Sequence, residues 1–246
     1  MNHFDILENG AKRFSAREAI CFHEATGTRS LSYGEVHRLA VGFSAALART
    51  GVRKGDRVAV FLPNVPEYPA VTNGALRIGA VPVLLSSALK ADKLQEHVKN
   101  SQASVLVTSE DLYAETAQAR ECPSLREMFV LGDASPGARS FREALAFEGD
   151  APPKVVLGPD EPAMILYTSG TTGEQKGAVL SHANILSNIR ATAHCTGMTG
   201  QDRILCFLPL FHCFGQNFVM NSTFLAGGTL VLHKRFVLEE ILASLR

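Results

Sequence analysis

The chain has 246 residues, 46% hydrophobic and 20% charged, and its 24 basic and 24 acidic side chains cancel to a formal net charge of zero. This is ordinary globular composition and excludes a disordered or collagen-like chain. The zero balance argues against a general nucleic-acid binder and against a protein held by charge on an anionic membrane.

Residues 1–20 carry charges throughout and lack the apolar core of a signal peptide. No apolar run is long enough to span a bilayer, so a cytoplasmic location is expected. The clearest helix falls at 31–51. Ser32 and Glu35 make a capping box, Val36, Leu39, Phe43 and Leu47 recur on one face, and Gly51 stands where a left-handed cap is wanted. Strands are predicted at 57–62, 81–85, 104–109 and 127–132, alternating with helices near 68–78, 90–100 and 110–119. Glu67, at the start of the second helix, reads as a carboxylate complementing the helix dipole. Residues 133–160 hold Pro136, Pro152, Pro153 and Pro159 and read as a surface connection with one short helix at 140–147. A strand at 163–168, a helix from about 181 to 195, a strand at 203–208, a helix near 215–225, a strand at 229–233 and a helix at 238–246 complete the order. Buried apolar strands alternating with helices imply an α/β fold of mostly parallel sheets flanked by helices. The alternation stops on a helix with no closing strand, which reads as a repeat cut short.

The most informative stretch is ILYTSGTTGEQKGAVLSH, residues 165–182. A strand leads into it, and a helix is expected after it. Ligands of α/β sheets sit beyond the carboxyl ends of strands. Glycines let backbone N–H groups turn toward an anion, hydroxyls add donors without charge, and Lys176 adds a point charge suited to phosphate oxygens. The positive end of the following helix would help if its axis points at the site. The chemistry suggests a triphosphate or pyrophosphate; the alternative is a polar loop with nothing bound. Neither GxxxxGK[ST] nor GxGxxG occurs.

The stretch YTSGTTGEQKGAVLSHANI resembles the phosphate loop of the adenylate-forming (AMP-binding) superfamily, which contains acyl-CoA synthetases, peptide-synthetase adenylation domains and luciferases. One position departs: Gln175 stands where proline is usual. The run from Leu62 to Ser109 resembles the family's first lobe, and FLPLFHCFGQNFVMNSTFLAGGTLVL resembles the segment that builds the acyl pocket. The resemblance implies part of the large N-terminal domain of an adenylate-forming enzyme, truncated. Within 1–246 it places a phosphate-loop lobe at about 50–197 and the start of a second lobe at 1–49 plus 198–246. The C-terminal half and a small mobile domain would be absent.

The resemblance implies ATP-dependent activation of a carboxylic acid to an acyl-adenylate with release of pyrophosphate, then transfer to a thiol of CoA or an acyl-carrier protein. ATP and Mg2+ are the expected cofactors, and a downstream half a possible partner. Thr168, Ser169, Gly170, Thr171, Thr172, Gly173 and Lys176 would hold the β- and γ-phosphates. His212, in PLFHCFG, would orient the carboxylate or gate the pocket, so Lys176 and His212 are the catalytic candidates. The chain carries no assigned metal ligand: five cysteines without CxxC spacing read as reduced thiols, and Cys206 and Cys213 as core or pocket thiols. His182 reads as a helix-start polar residue. Phe211, Phe214, Phe218, Val219, Met220, Phe224 and Leu225 suit an apolar pocket or simply the core. Similarity of FHCFGQN to fatty-acid-activating members favours a fatty acid. Lacking the implied C-terminal half, the chain alone is expected to be nearly inactive. The alternative is a non-catalytic phosphate-binding remnant or interaction module.

Overall fold

The computed structural model describes residues 2–24, 27–146, 151–168 and 175–245. The chain opens with α1 (Phe4–Phe14), a hairpin of β1 (Glu18–Glu24) and β2 (Gly27–Ser32), and α2 (Tyr33–Arg49). The capping box forms as expected: the Glu35 N–H donates to Ser32 Oγ at 3.2 Å, and the Ser32 N–H donates to Glu35 Oε2 at 2.7 Å. Gly51 takes the left-handed conformation, φ +80°, that ends the helix without steric penalty.

Next come β3 (Arg57–Phe61), α3 (Tyr68–Arg77), β4 (Val81–Leu84), α4 (Ala91–Ser101), β5 (Val105–Ser109) and β6 (Glu127–Leu131). The helix expected at 110–119 is two 3₁₀ segments, Glu110–Thr116 and Ala119–Glu121. The short strand β7 (Arg139–Ser140) leads into α5 (Phe141–Leu145), capped by the Ser140 side chain. Then follow β8 (Pro162–Thr168), β9 (Lys176–Ser181), α6 (His182–Thr196) and β10 (Arg203–Cys206). The helix expected near 215–225 is a π-helix, Phe214–Asn221, running into α7 (Ser222–Ala226); β11 (Thr229–His233) and α8 (Leu238–Ser244) follow.

Two sheets result. The larger has the order β7-β6-β5-β3-β4-β8-β9, parallel except for β9. The smaller has the order β10-β11-β1-β2, parallel except for β2. Strands β3, β4 and β5 are apolar on both faces, as strands covered on both sides must be. Along β3 the alternation is direct. Val58 and Val60 enter the main core, shared with Phe4, Phe43, Met164 and Phe224, while Ala59 and Phe61 meet Leu94 and Val98 of α4 on the other face. Among the described residues no helix is long and apolar enough to cross a membrane.

Two glycines mark close approaches. A Cβ at Gly74 of α3 would lie 2.8 Å from the Ala40 carbonyl oxygen of α2, and one at Gly10 of α1 would lie 2.8 Å from the Tyr33 ring. In both helices the weak propensity of glycine is offset by packing that a methyl group would block.

Candidate active site

The parallel pair β4 and β8, in register Leu84 to Leu166, ends on one side of the large sheet. A cavity of about 230 Å³ lies beyond those carboxyl ends. Leu84, Leu85 and Leu89 line it from the β4 side, Leu166 from β8, and Phe211 from the chain after β10. Its polar lining includes Ser86, His97, Tyr167, Thr168, Gln175, His212 and Cys213. Complete small-molecule pockets run to roughly 300–1,000 Å³, so this volume suits part of a ligand.

β8 turns back on itself rather than leading to a helix. Thr168 stands opposite Lys176 in the antiparallel β8–β9 ladder, and the Thr168 hydroxyl donates to the Lys176 carbonyl at 3.4 Å. Both side chains are exposed. The expected helix does form, but β9 comes first. The N-terminus of α6 is tied to Glu161, whose carbonyl accepts the His182 N–H at 3.1 Å. That is the amino end of β8, about 20 Å from Thr168 at ~3.3 Å per strand residue. The N-terminus of α6 therefore lies away from Thr168, and the condition for a dipole contribution to a phosphate there is not met. Ser169, Gly170, Thr171, Thr172 and Gly173 lie outside the described residues.

His212 reaches the cavity on the segment that follows β10. Asn64, just beyond the carboxyl end of β3, fixes that segment. Its side-chain nitrogen donates to the carbonyls of Leu208 (3.0 Å) and His233 (3.1 Å), and its oxygen accepts from the Leu210 N–H (2.9 Å). His212 Nδ1 accepts from the Phe214 N–H at 3.2 Å, so a neutral ring carries its proton on Nε2. That tautomer is a donor suited to a carboxylate or phosphate oxygen. The Cys213 sulfur lies 3.8 Å from Nδ1, whereas Cys206 is buried and its thiol is pushed up to about 12 by desolvation. Val219, Met220 and Phe224 belong to the main core; of the aromatic set, Phe211 alone lines the cavity.

The sequence profile of the AMP-binding enzyme family matches residues 7–245. The chain belongs to that family. It is 33% identical over 249 residues to 4-coumarate--CoA ligase-like 9 of Oryza sativa subsp. japonica, covering 98% of this chain and 44% of that protein. Among solved structures it is similar to a long-chain-fatty-acid-CoA ligase from Archaeoglobus fulgidus, with TM-score 0.88, 26% identity, and coverage of 99% of this chain and 49% of that one. It is also similar to ATP-bound MatB from Rhodopseudomonas palustris, with TM-score 0.84, 28% identity, and coverage of 99% and 47%. The chain thus spans about half the length of the relatives it matches.

Within this AMP-binding fold, Thr168 and His212 meet in one cavity, and Lys176 stands across the ladder from Thr168. His182 is the first residue of α6 and is buried, its Nδ1 accepting the His3 N–H at 3.1 Å. Glu67 makes no capping bond and instead pairs with Arg29 of β2 at 2.6 Å. Two residues at the site carried no signal in the sequence, Asn64 and His97. Their partners lie 144–169 and 78 positions away.

Among the described residues no carboxylate lines the cavity, and they hold no group of three or more His, Cys, Asp and Glu placed for a metal. The magnesium implied by the resemblance finds no ligand set among the described residues.

Proposed function

We propose that this chain supplies the phosphate-holding and part of the acid-holding wall of an acid–thiol ligase. In that reaction ATP and a carboxylic acid give an acyl-adenylate and pyrophosphate, and CoA or a carrier-protein thiol then takes the acyl group. The observation that carries this reading is the meeting of Thr168 and His212 in one cavity beyond β4 and β8, with Lys176 beside Thr168. In the proposal Thr168 and Lys176 hold phosphate oxygens, joined by Ser169, Gly170, Thr171, Thr172 and Gly173. His212 presents Nε2–H to the acid's carboxylate. Holding both reactants aligned and meeting charge with preorganised donors is how such sites act. The lobes at about 50–197 and at 1–49 plus 198–246 would face each other across this cavity.

The leucines and Phe211 suit an acid with an apolar body. A fatty acyl chain is the narrower reading, and the names of the relatives do not single it out: one is a 4-coumarate ligase-like protein and another a long-chain-fatty-acid ligase. ATP–pyrophosphate exchange should be run with both fatty and aryl acids, on the chain and on the longest native product that contains it. Exchange by the longer product, with little or none by the chain alone, is expected. If ATP binds but neither exchanges label with any acid, the chain is a non-catalytic phosphate-binding module instead.

Lys176→Ala tests the phosphate assignment. A charge-assisted contact contributes ~1.5–3 kcal/mol, so the ATP dissociation constant should rise about 10- to 100-fold by calorimetric titration. Because Lys176 is exposed, the melting temperature should stay unchanged.

A further inference from the structure

Gln175 occupies the position where the resembling loops carry proline, immediately before Lys176. Proline at that point restricts the backbone through its fixed φ. Glutamine has no such restriction, yet its side chain is tied down. The Gln175 amide oxygen lies 2.5 Å from Nε2 of His97, and Nδ1 of the same ring lies 2.5 Å from the Lys93 carbonyl oxygen. His97 is itself held firmly. It is buried on α4 and lies edge-on to the Tyr167 ring, 4.0 Å between centroids and 74° between planes. The Tyr167 hydroxyl reaches back to α4, 2.7 Å from Asn100 Oδ1 and 3.2 Å from the His97 carbonyl. Tyr167 precedes Thr168 on β8, and Gln175 precedes Lys176 on β9. One histidine therefore contacts the chain on both sides of the Thr168–Lys176 pair, Tyr167 one residue inside it on β8 and Gln175 one residue before it ahead of β9.

The hydrogen bonding of the His97 ring supports a specific contact. Both neighbours of the His97 ring, as placed, are acceptors, which a doubly protonated ring satisfies by donating from each nitrogen. A half-turn of the Gln175 amide gives a neutral ring the same two partners, with Nδ1 donating and Nε2 accepting. Glutamine can serve either state because it carries both a donor and an acceptor. Proline could serve neither.

We propose that the His97–Gln175 contact is a positioning device for Lys176, replacing by a side-chain hydrogen bond the restraint that proline supplies in the resembling loops. Its benefit to catalysis rests on the phosphate-holding role proposed for Lys176. His97 and Gln175 are positioning residues: they act through the lysine.

The test is a double-mutant cycle on the whole chain with two readouts. The first is amide hydrogen exchange at residues 175–177, together with the rate of tryptic cleavage after Lys176, neither of which depends on any ligand. The second is the dissociation constant for ATP. Gln175→Ala should speed exchange and cleavage at Lys176 and weaken ATP about fivefold, the scale of one ordinary hydrogen bond. The melting temperature should fall only slightly, since the exposed position of Gln175 lets water reach the His97 nitrogen it leaves. Gln175→Pro should restore both readouts to within about twofold of the parent, a rescue that a merely structural glutamine would not give. His97→Gln should match Gln175→Ala in the parent and add nothing on top of Gln175→Pro. If Gln175→Ala leaves exchange and cleavage at Lys176 as in the parent, the proposal is overturned. If the parent chain fails to bind ATP, the phosphate role of Lys176 falls, and the ligand-free readouts alone decide whether the contact positions the lysine.

Discussion

Replacing Asn64 with alanine is expected to destabilise the fold by about 3–4 kcal/mol, a large effect for one small side chain. Asn64 is buried and spends its amide entirely on backbone groups of the smaller-sheet side: it donates to two carbonyls and accepts from one N–H. His233 and Leu210, which own two of those groups, are buried as well. Truncation leaves the groups without partners, and each orphaned buried group costs ~1–3 kcal/mol, part of it recovered by relaxation and water. Asn64→Asp should also destabilise, because a carboxylate keeps the acceptor for Leu210 but faces two carbonyl oxygens with no donor. Chemical denaturation of both variants gives the figure. A loss below ~1 kcal/mol for Asn64→Ala would mean that this bridge does not hold the chain after β10. The same change should disturb the cavity, because the segment released is the one that carries Phe211 and His212.

The second large effect is on pH. His3 is fully buried, and its pKa is lowered from 6.5 to about 4. Burial is the main cause, the Asn221 amide works against it, and the neighbouring His182 ring adds to it. Desolvation also lowers His182, His37 and His233. An unfolded chain takes up these protons near pH 6.5, whereas the folded chain resists until pH falls to about 4 at His3. Protons therefore favour the unfolded state as pH drops through that window. Stability should be full above pH 7 and decline from about 6.5 downward. For His3 alone, the gap from 6.5 to about 4 corresponds to ~3 kcal/mol at about 1.4 kcal/mol per pH unit. Denaturant midpoints at pH 7.5 and 5 measure the part of the loss reached by pH 5, about 2 kcal/mol for His3 at about 1.4 kcal/mol per pH unit, and His3→Asn should flatten it. Equal midpoints for the parent chain at the two pH values would contradict the assignment.

Much of the architecture was legible because local and tertiary preferences agree. The strand at β11 and the helix α2 follow from apolar runs and a capping box that the structure reproduces. Elements at the edge were less legible. β9 exposes most of its residues, so its KGAVLS shows no alternation that buried packing would impose, and it reads as the lead into a helix. β2 is exposed over GTRS and gains order mainly from its hairpin with β1. α1 carries Gly10 in mid-helix, a poor former that the Tyr33 ring requires. The break of the 215–225 helix into a π-helix and a short α-helix has no cue in composition. At the site, the hydroxyl-rich string and the lysine were visible as a motif. The parts that hold it, Asn64 on the chain after β10 and His97 on Gln175, join residues remote in sequence, and no periodicity records such a contact.

At the centre of the proposal, the residues from Thr168 to Lys176 hold the phosphates of ATP beside His212. The most direct measurement is calorimetric titration of ATP into the parent chain and into Lys176→Ala, at one salt concentration and pH 7.5. Saturable binding by the parent is expected, with a dissociation constant about 10- to 100-fold higher in the variant, on the scale of one charge-assisted phosphate contact. Equal affinity in the two chains, or no binding by a folded parent, would contradict it.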